Sequence, residues 1–186
     1  MKLSKTYEPN QYEPNIYALW EASGAFEPSG VGTPYSIVMP PPNANGDLHM
    51  GHGFTVGLQD ILIRYHRMKG FDTIYLPGAD HAGFETWVVF EKELTKQGKN
   101  RFDFSREELY KQVWDFVEKK RGSMDIQLRA LGASASWQNL TFTLDDKVIK
   151  TVYSTFKKLW DEGLIYRGER IVNYSTAYQT SYADIE

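Results

Sequence analysis

A chain of 186 residues with 41% hydrophobic residues, 12 tyrosines, 10 phenylalanines and 5 tryptophans can bury a proper core in one domain, or one domain with appendages, and is not built like a disordered one. Its net charge of −3 excludes a global basic field that draws in nucleic acid, so an RNA contact would need a local patch or another part of the protein. The absence of cysteine excludes disulfides and thiolate metal sites; the start MKLSKTYEPNQYEPN has no apolar signal-peptide core, and no run of about 18 apolar residues offers a membrane span, so a soluble, cytoplasmic protein is expected.

In chain order, EPNIYALWEASGAF predicts a short amphipathic helix with Ile16, Leu19 and Trp20 on its apolar face and Gly24 as its stop. PYSIVMP predicts a buried strand over Tyr35–Met39 that ends at Pro40, because proline cannot stay in a ladder. From Gly51 to Met68 the residues Phe54, Leu58, Ile61, Leu62 and Tyr65 recur at three and four, which marks a helix. KGFDTIYLPGAD then contains a glycine stop, a second strand near Asp72–Leu76 and a Pro-Gly break. Strand, helix and strand in about forty residues form a βαβ unit with parallel strands.

The second half reads as mostly helical. Ser105 and Glu108 form a capping box ahead of a long helix in which Gly122 is a candidate bend. TLDDKVIKTVYSTFKKLWDEG predicts another helix, acidic in its first turn and closed by Gly163. LIYRGERIVNYST reads as a hairpin turning around Gly168, and the tail AYQTSYADIE as a stretch without a closing element. The charged run EKELTKQGKNR reads as a solvated helix end and loop.

MPPPNANGDLHMGHGF, residues 39–54, concentrates three prolines, three glycines and two of the four histidines between the first strand and the helix. Ligands of open α/β sheets sit where a loop leaves the carboxyl end of a parallel strand. Gly46, Gly51 and Gly53 let backbone approach a ligand, and a helix start offers unpaired N–H groups and a positive dipole end. His49 and His52, three apart, share one side and can donate to phosphate oxygens, so the constellation reads as a triphosphate cradle. Three other readings stay open on these residues alone: a metal pair completed by Asp47, Asp80 or His81, capping histidines in a structural turn, and the H-x-G-H loop of a small nucleotidyltransferase. Asp80, at a strand end beside an anion site, suits the ammonium of a zwitterionic substrate, or simply caps the turn after Pro77-Gly78. His66 reads as solvated on the polar helix face, and His81 either shapes the site or packs.

PPPNANGDLHMGH, LPGADHAG, RALGASASW and VNYSTAYQTSYADIE, taken in that order, resemble the amino-terminal part of a class I aminoacyl-tRNA synthetase, most closely the valyl branch. The resemblance runs from about Tyr7 to Glu186. His49-Met50-Gly51-His52 is similar to the HIGH signature, Pro40-Pro41-Pro42-Asn43 to the valyl PPPN, and Gly78 to Gly83 to the valyl GTDHAG; the isoleucyl branch is the nearest competitor. The fold implied is the first half of a Rossmann-like, HUP-type nucleotide-binding α/β fold with parallel strands, long helices and a terminal hairpin. The activity implied is ATP-dependent formation of valyl-adenylate, then transfer of the valyl group to tRNA in a complete enzyme.

Residue by residue, the resemblance implies that His49 and His52 are catalytic and stabilise the triphosphate, that Asn43 and Gly51 line the ATP approach, that Pro40, Pro41 and Pro42 wall an apolar side-chain pocket, and that Asp80 holds the valine ammonium. Mg²⁺ would be held mainly through the ATP phosphates. Many valyl enzymes carry a C-x-x-C zinc pair where this chain has Ser175 and Tyr178, so no zinc is expected. Trp87 stands in GFETWVVF, where valyl enzymes read like IATQ, a departure at the amino-acid site. The chain ends where the family inserts its editing domain, and nothing resembles the KMSKS loop or an anticodon-binding domain. It therefore reads as the amino-terminal half of a catalytic domain over 1–186, for which self-association is expected, with a non-catalytic ATP- or partner-binding module as the competing reading.

Overall fold

The computed structural model of the chain describes residues 5–177 and 179–182. It divides into two compact units, Met1–Asp145 and Asp146–Glu186.

The first unit begins with helix α1, Pro9–Ala22, opened by a proline in its first turn and followed by Gly24 at φ 71°. Proline suits that place because the N–H it lacks has no intrahelical partner. The expected apolar face is not the buried one: Tyr17 faces inward while Ile16, Leu19 and Trp20 stay exposed. Tyr17 wins that place because its hydroxyl is satisfied on both sides, donating to the Ala133 carbonyl at 2.7 Å and accepting from the Trp137 indole N–H at 2.7 Å.

Strand β1, Pro34–Val38, and strand β2, Asp72–Leu76, are parallel, in register from Pro34↔Asp72 to Val38↔Leu76, and are joined by helix α2, Met50–Met68. The βαβ unit read from the sequence is therefore present, although β1 is only half-buried on one face and ends at Val38, leaving Met39 as the buried residue. Past the strands the two chains keep pairing: Asp80 N–H donates to the Pro42 carbonyl at 2.8 Å and Ala44 N–H to the Asp80 carbonyl at 2.7 Å. A two-residue strand β3, Gly78–Ala79, pairs in parallel with β4, Thr141–Phe142, after the chain has passed through helices α3, Gly83–Lys96, and α4, Arg106–Ala130. The capping box of α4 is formed as expected, Ser105 accepting from Glu108 N–H and Glu108 from Ser105 N–H, and the helix continues through Gly122. The run Glu91–Arg101 includes the last turn of α3.

Helix α2 turns its core-facing stripe elsewhere than its apolar periodicity suggests. Val56, Asp60 and Ile63 are buried, whereas Phe54, Leu58, Ile61, Leu62 and Tyr65 are exposed, Phe54 by 69% and Ile61 by 63%. Burial of a charged Asp60 is possible because it is paired: Oδ1 accepts from Ser134 N–H at 3.0 Å and from the Ser134 hydroxyl, and Oδ2 from Arg64 at 2.6 Å. Arg64 and Arg67 reach on to the carbonyls of Gly132 and Ser134, tying α2 to the RALGASAS turn. One core cluster joins Met39, Val56, Ile63, Tyr75 and Leu128, a second Ala44, Ala79, Val117, Met124 and Phe142, and Leu48 packs against both. Each fully buried aliphatic side chain there is worth about 1.5–3 kcal/mol.

In the second unit, helix α5, Asp146–Asp161, ends before Gly163 at φ 70°. A hairpin is present, but not around Gly168: β5, Asn173–Ser175, pairs antiparallel with β6, Thr180–Tyr182. The tail thus supplies the closing strand it was expected to lack. The segments on either side of Gly168 carry no strand pairing, and Ile171 and Val172 are exposed.

A candidate nucleotide and amino-acid site

The N-terminus of α2 is capped by its own histidines. His49, extended at φ −122°, accepts the Gly51 N–H at Nδ1 over 3.0 Å, and His52 accepts the His49 N–H at Nδ1 over 3.2 Å. Two imidazoles thus perform the reciprocal exchange usually made by Ser and Glu. The capping reading and the phosphate reading are compatible, because an imidazole that accepts at Nδ1 carries its neutral-form proton on Nε2. Both rings, with centroids 4.0 Å apart, therefore keep an Nε2–H donor that no described residue occupies. Burial, then the neighbouring His49, lowers the His52 pKa and favours its neutral form.

These rings border a cleft of about 540 Å³ lined by Pro40, Pro41, Pro42, Asn43, the Asn45–Leu48 turn, Gly51 and Thr55. The prolines pre-set an extended chain without donors, and Leu48 N–H is held by Gln127 Oε1 at 2.8 Å, so the turn ahead of His49 is tied to α4. Of the three glycines, Gly51 is the one against which the His49 ring packs, since a Cβ there would lie 2.8 Å from His49 Cε1 and push the ring aside. A Cβ at Gly46 or Gly53 would meet nothing within 4 Å, and of the two Gly46 lines the cleft, where its missing side chain leaves open space.

Asp80 does not line this cleft. It joins the loop through the parallel bridge with Asn43. Its Oδ1 accepts from Ala82 N–H at 3.0 Å and from the Thr143 hydroxyl at 3.2 Å, while no described residue donates to Oδ2. Turn capping and an open oxygen therefore coexist. His81 is half-buried and bound to Thr143, Nδ1 to Oγ1 at 2.6 Å, with its Nδ1 3.4 Å from Asp80 Oδ1. Ala82 is left-handed at φ 56°, an unusual conformation for a residue with a Cβ.

His66 is not solvated on a polar face: it stacks on Tyr35 with centroids 3.6 Å apart and an interplanar angle of 9°. Trp87 lies half-buried on α3, edge-on to Phe90 at 6.2 Å. Thr143 and Gln127 were not singled out in the sequence, because a lone Thr and a lone Gln carry no local signal of a contact more than sixty residues away. Among the described residues no group of three or more His, Cys, Asp or Glu could hold a metal ion, so His49 and His52 do not form a shell with Asp47, Asp80 or His81. Tyr178 lies outside the described residues.

Residues 15–186 match the family tRNA synthetases class I (I, L, M and V). The chain belongs to this family. It is 47% identical to the valine–tRNA ligase of Chlamydia caviae, covering 100% of this chain and 20% of that one. It is 44% identical to the enzyme of Acinetobacter baylyi, covering 99% and 19%, and 42% identical to that of Stenotrophomonas maltophilia strain K279a, covering 100% and 20%. The chain thus spans about a fifth of the length of these curated relatives. The crystal structure of the ternary complex of Agrobacterium radiobacter K84 agnB2 LeuRS-tRNA-LeuAMS superposes with a TM-score of 0.75 at 23% identity, covering 96% of this chain and 21% of that one, and bears on the fold alone. No described helix is long and apolar enough to cross a membrane.

Proposed function

We propose that this chain forms the nucleotide and amino-acid side of a valine-activating site, the amino-terminal half of a class I synthetase catalytic domain, and that the complete enzyme passes the valyl group to tRNA. The observation that carries this is the pair of outward Nε2–H donors on His49 and His52 beside the triple-proline cleft, in a chain 42–47% identical to valine–tRNA ligases along its length. In the reaction a valine carboxylate oxygen bonds to the α-phosphorus of ATP, the bond from that phosphorus to the bridging oxygen breaks, and pyrophosphate leaves with the electron pair. No protein base is needed, because an α-carboxylate is already ionised at neutral pH. The two Nε2–H groups meet charge that develops on the phosphate oxygens, and being fixed by the cap they need no reorganisation. Gly51 and Asn43 border the ATP approach, Pro40, Pro41 and Pro42 form the rigid wall for the isopropyl group, and Asp80 Oδ2 takes the ammonium. Mg²⁺ bound with ATP would neutralise phosphate charge, held mainly through the phosphates, with Asp47 as the carboxylate at the cleft.

Calorimetry with Mg-ATP tests the reading. The wild-type chain is expected to bind weakly and a His49→Ala, His52→Ala double variant not at all. A His49→Asp, His52→Glu variant keeps acceptor oxygens for both caps without any N–H donor and separates loss of the donors from loss of the helix start. Equal ATP binding by all three, or none by a folded wild type, removes the assignment.

A further inference from the structure

We propose that Thr143 is a positioning residue for the amino-group end of this site, acting through Asp80 and His81; the inference rests on the reading of Asp80 given above. The Thr143 hydroxyl has one proton and two lone pairs, and all three are used. It accepts from His81 N–H at 2.9 Å, contacts His81 Nδ1 at 2.6 Å and donates to Asp80 Oδ1 at 3.2 Å. One arrangement satisfies every contact: the hydroxyl proton goes to Asp80, so His81 must supply the proton on Nδ1. Two consequences follow for a ligand. Asp80 Oδ1 is fully engaged by Thr143 and Ala82, which fixes the carboxylate rotamer and leaves Oδ2 as the oxygen for a cationic group. With the proton on Nδ1, the neutral form of such a ring offers a lone pair at Nε2 toward a cationic group.

The backbone that carries Asp80 is held on both sides as well. Thr143 N–H donates to the Ala79 carbonyl at 3.1 Å, Thr86 Oγ1 donates to the His81 carbonyl at 2.6 Å, and between these ties Ala82 sits at φ 56°. A residue with a Cβ stays left-handed only where its surroundings over-determine it, and such positions cluster at ligand clamps. Thr143 follows β4, 63 residues beyond Asp80, so the second crossover of the unit fixes a side chain presented by the first.

Thr143→Val removes the hydroxyl at nearly constant shape, Thr143→Ser keeps it, and Thr143→Ala substitutes if the valine variant does not fold. Long-range ¹H–¹⁵N correlation of the His81 ring in the 186-residue chain is the first readout. Wild type and Thr143→Ser are expected to carry the proton on Nδ1, and the hydroxyl-less variant to shift toward the Nε2 form. An unchanged tautomer overturns the proposal. Valine titration is the second: loss of the hydroxyl should weaken binding about tenfold or more, serine should restore it, and Asp80→Asn should abolish it. If valine binds, depends on Asp80 and is indifferent to the hydroxyl, the positioning role is refuted. A hydroxyl-dependent tautomer in a chain whose valine binding ignores Asp80→Asn keeps the hydrogen bonds of Thr143 but overturns the assignment of Asp80 and, with it, the positioning role.

Discussion

Gly51→Ala separates the stability of the α2 start from its chemistry. The added methyl would stand 2.8 Å from His49 Cε1 and 3.0 Å from His49 Nδ1, closer than a ring and a Cβ tolerate, so the imidazole must swing away. Its departure breaks the 3.0 Å bond from Gly51 N–H, and loss of an N-cap costs about 0.5–2 kcal/mol. Replacing a helical glycine by alanine returns up to about 1 kcal/mol. The two effects largely offset, so folding stability should fall by no more than about 1 kcal/mol. Ligand chemistry has no such offset. A displaced His49 no longer aims Nε2–H, and loss of one hydrogen bond to a charged phosphate, about 1.5–3 kcal/mol, corresponds to a tenfold or greater loss of ATP affinity. Urea denaturation, Mg-ATP calorimetry and the ¹⁵N shifts of the His49 ring are to be measured on the same sample. The expected result is near-native stability, altered His49 shifts and ATP binding weakened at least tenfold. Unchanged ring shifts with undiminished ATP affinity would refute the reasoning.

Gly46→Ala, where the new Cβ meets nothing within 4 Å in a residue that lines the cleft, should leave stability unchanged or raise it by up to ~1 kcal/mol while weakening Mg-ATP binding, because the methyl enters cleft space; unimpaired binding in calorimetry counts against that placement. Asp60→Ala strips partners from Ser134 and Arg64 and should cost about 3 kcal/mol or more in urea denaturation, a loss below ~1 kcal/mol showing that the buried ion network adds little. His52, whose pKa burial and His49 lower, is the native acceptor of a cap bond: its contribution is complete above the ordinary histidine value of about 6.5 and is lost as pH falls through the lower folded value. Amide exchange at His49 should therefore accelerate on acidification through that window, and His52→Gln, which keeps an acceptor without titrating, should abolish the acceleration.

Local rules explain what could be read from the chain alone. Prolines and glycines bounded β1, β2 and the loop between Met39 and Phe54, Ser105 and Glu108 marked the start of α4, and the succession of strand, helix and strand implied the parallel pair and a ligand loop at its carboxyl end. The HMGH stretch and its neighbours carried the family resemblance, which the match over residues 15–186 bears out. Which helix faces are buried was not legible. Periodicity locates a helix, but the partners of Asp60, Arg64 and Arg67 lie in the turn around Ser134, and only their union made a charged stripe cheaper to bury than Phe54 and Ile61. The hairpin moved from Gly168 to the segment 173–182 for a similar reason, since a turn signal commits a chain only if the flanking strands find pairing. Tertiary structure alone decided that Asp80 stands outside the cleft of His49 and His52, joined to it through Asn43, and that Thr143 holds it. Hydrogen bonds between residues more than sixty positions apart leave no periodic trace in sequence, because their geometry exists only after the intervening helices have packed.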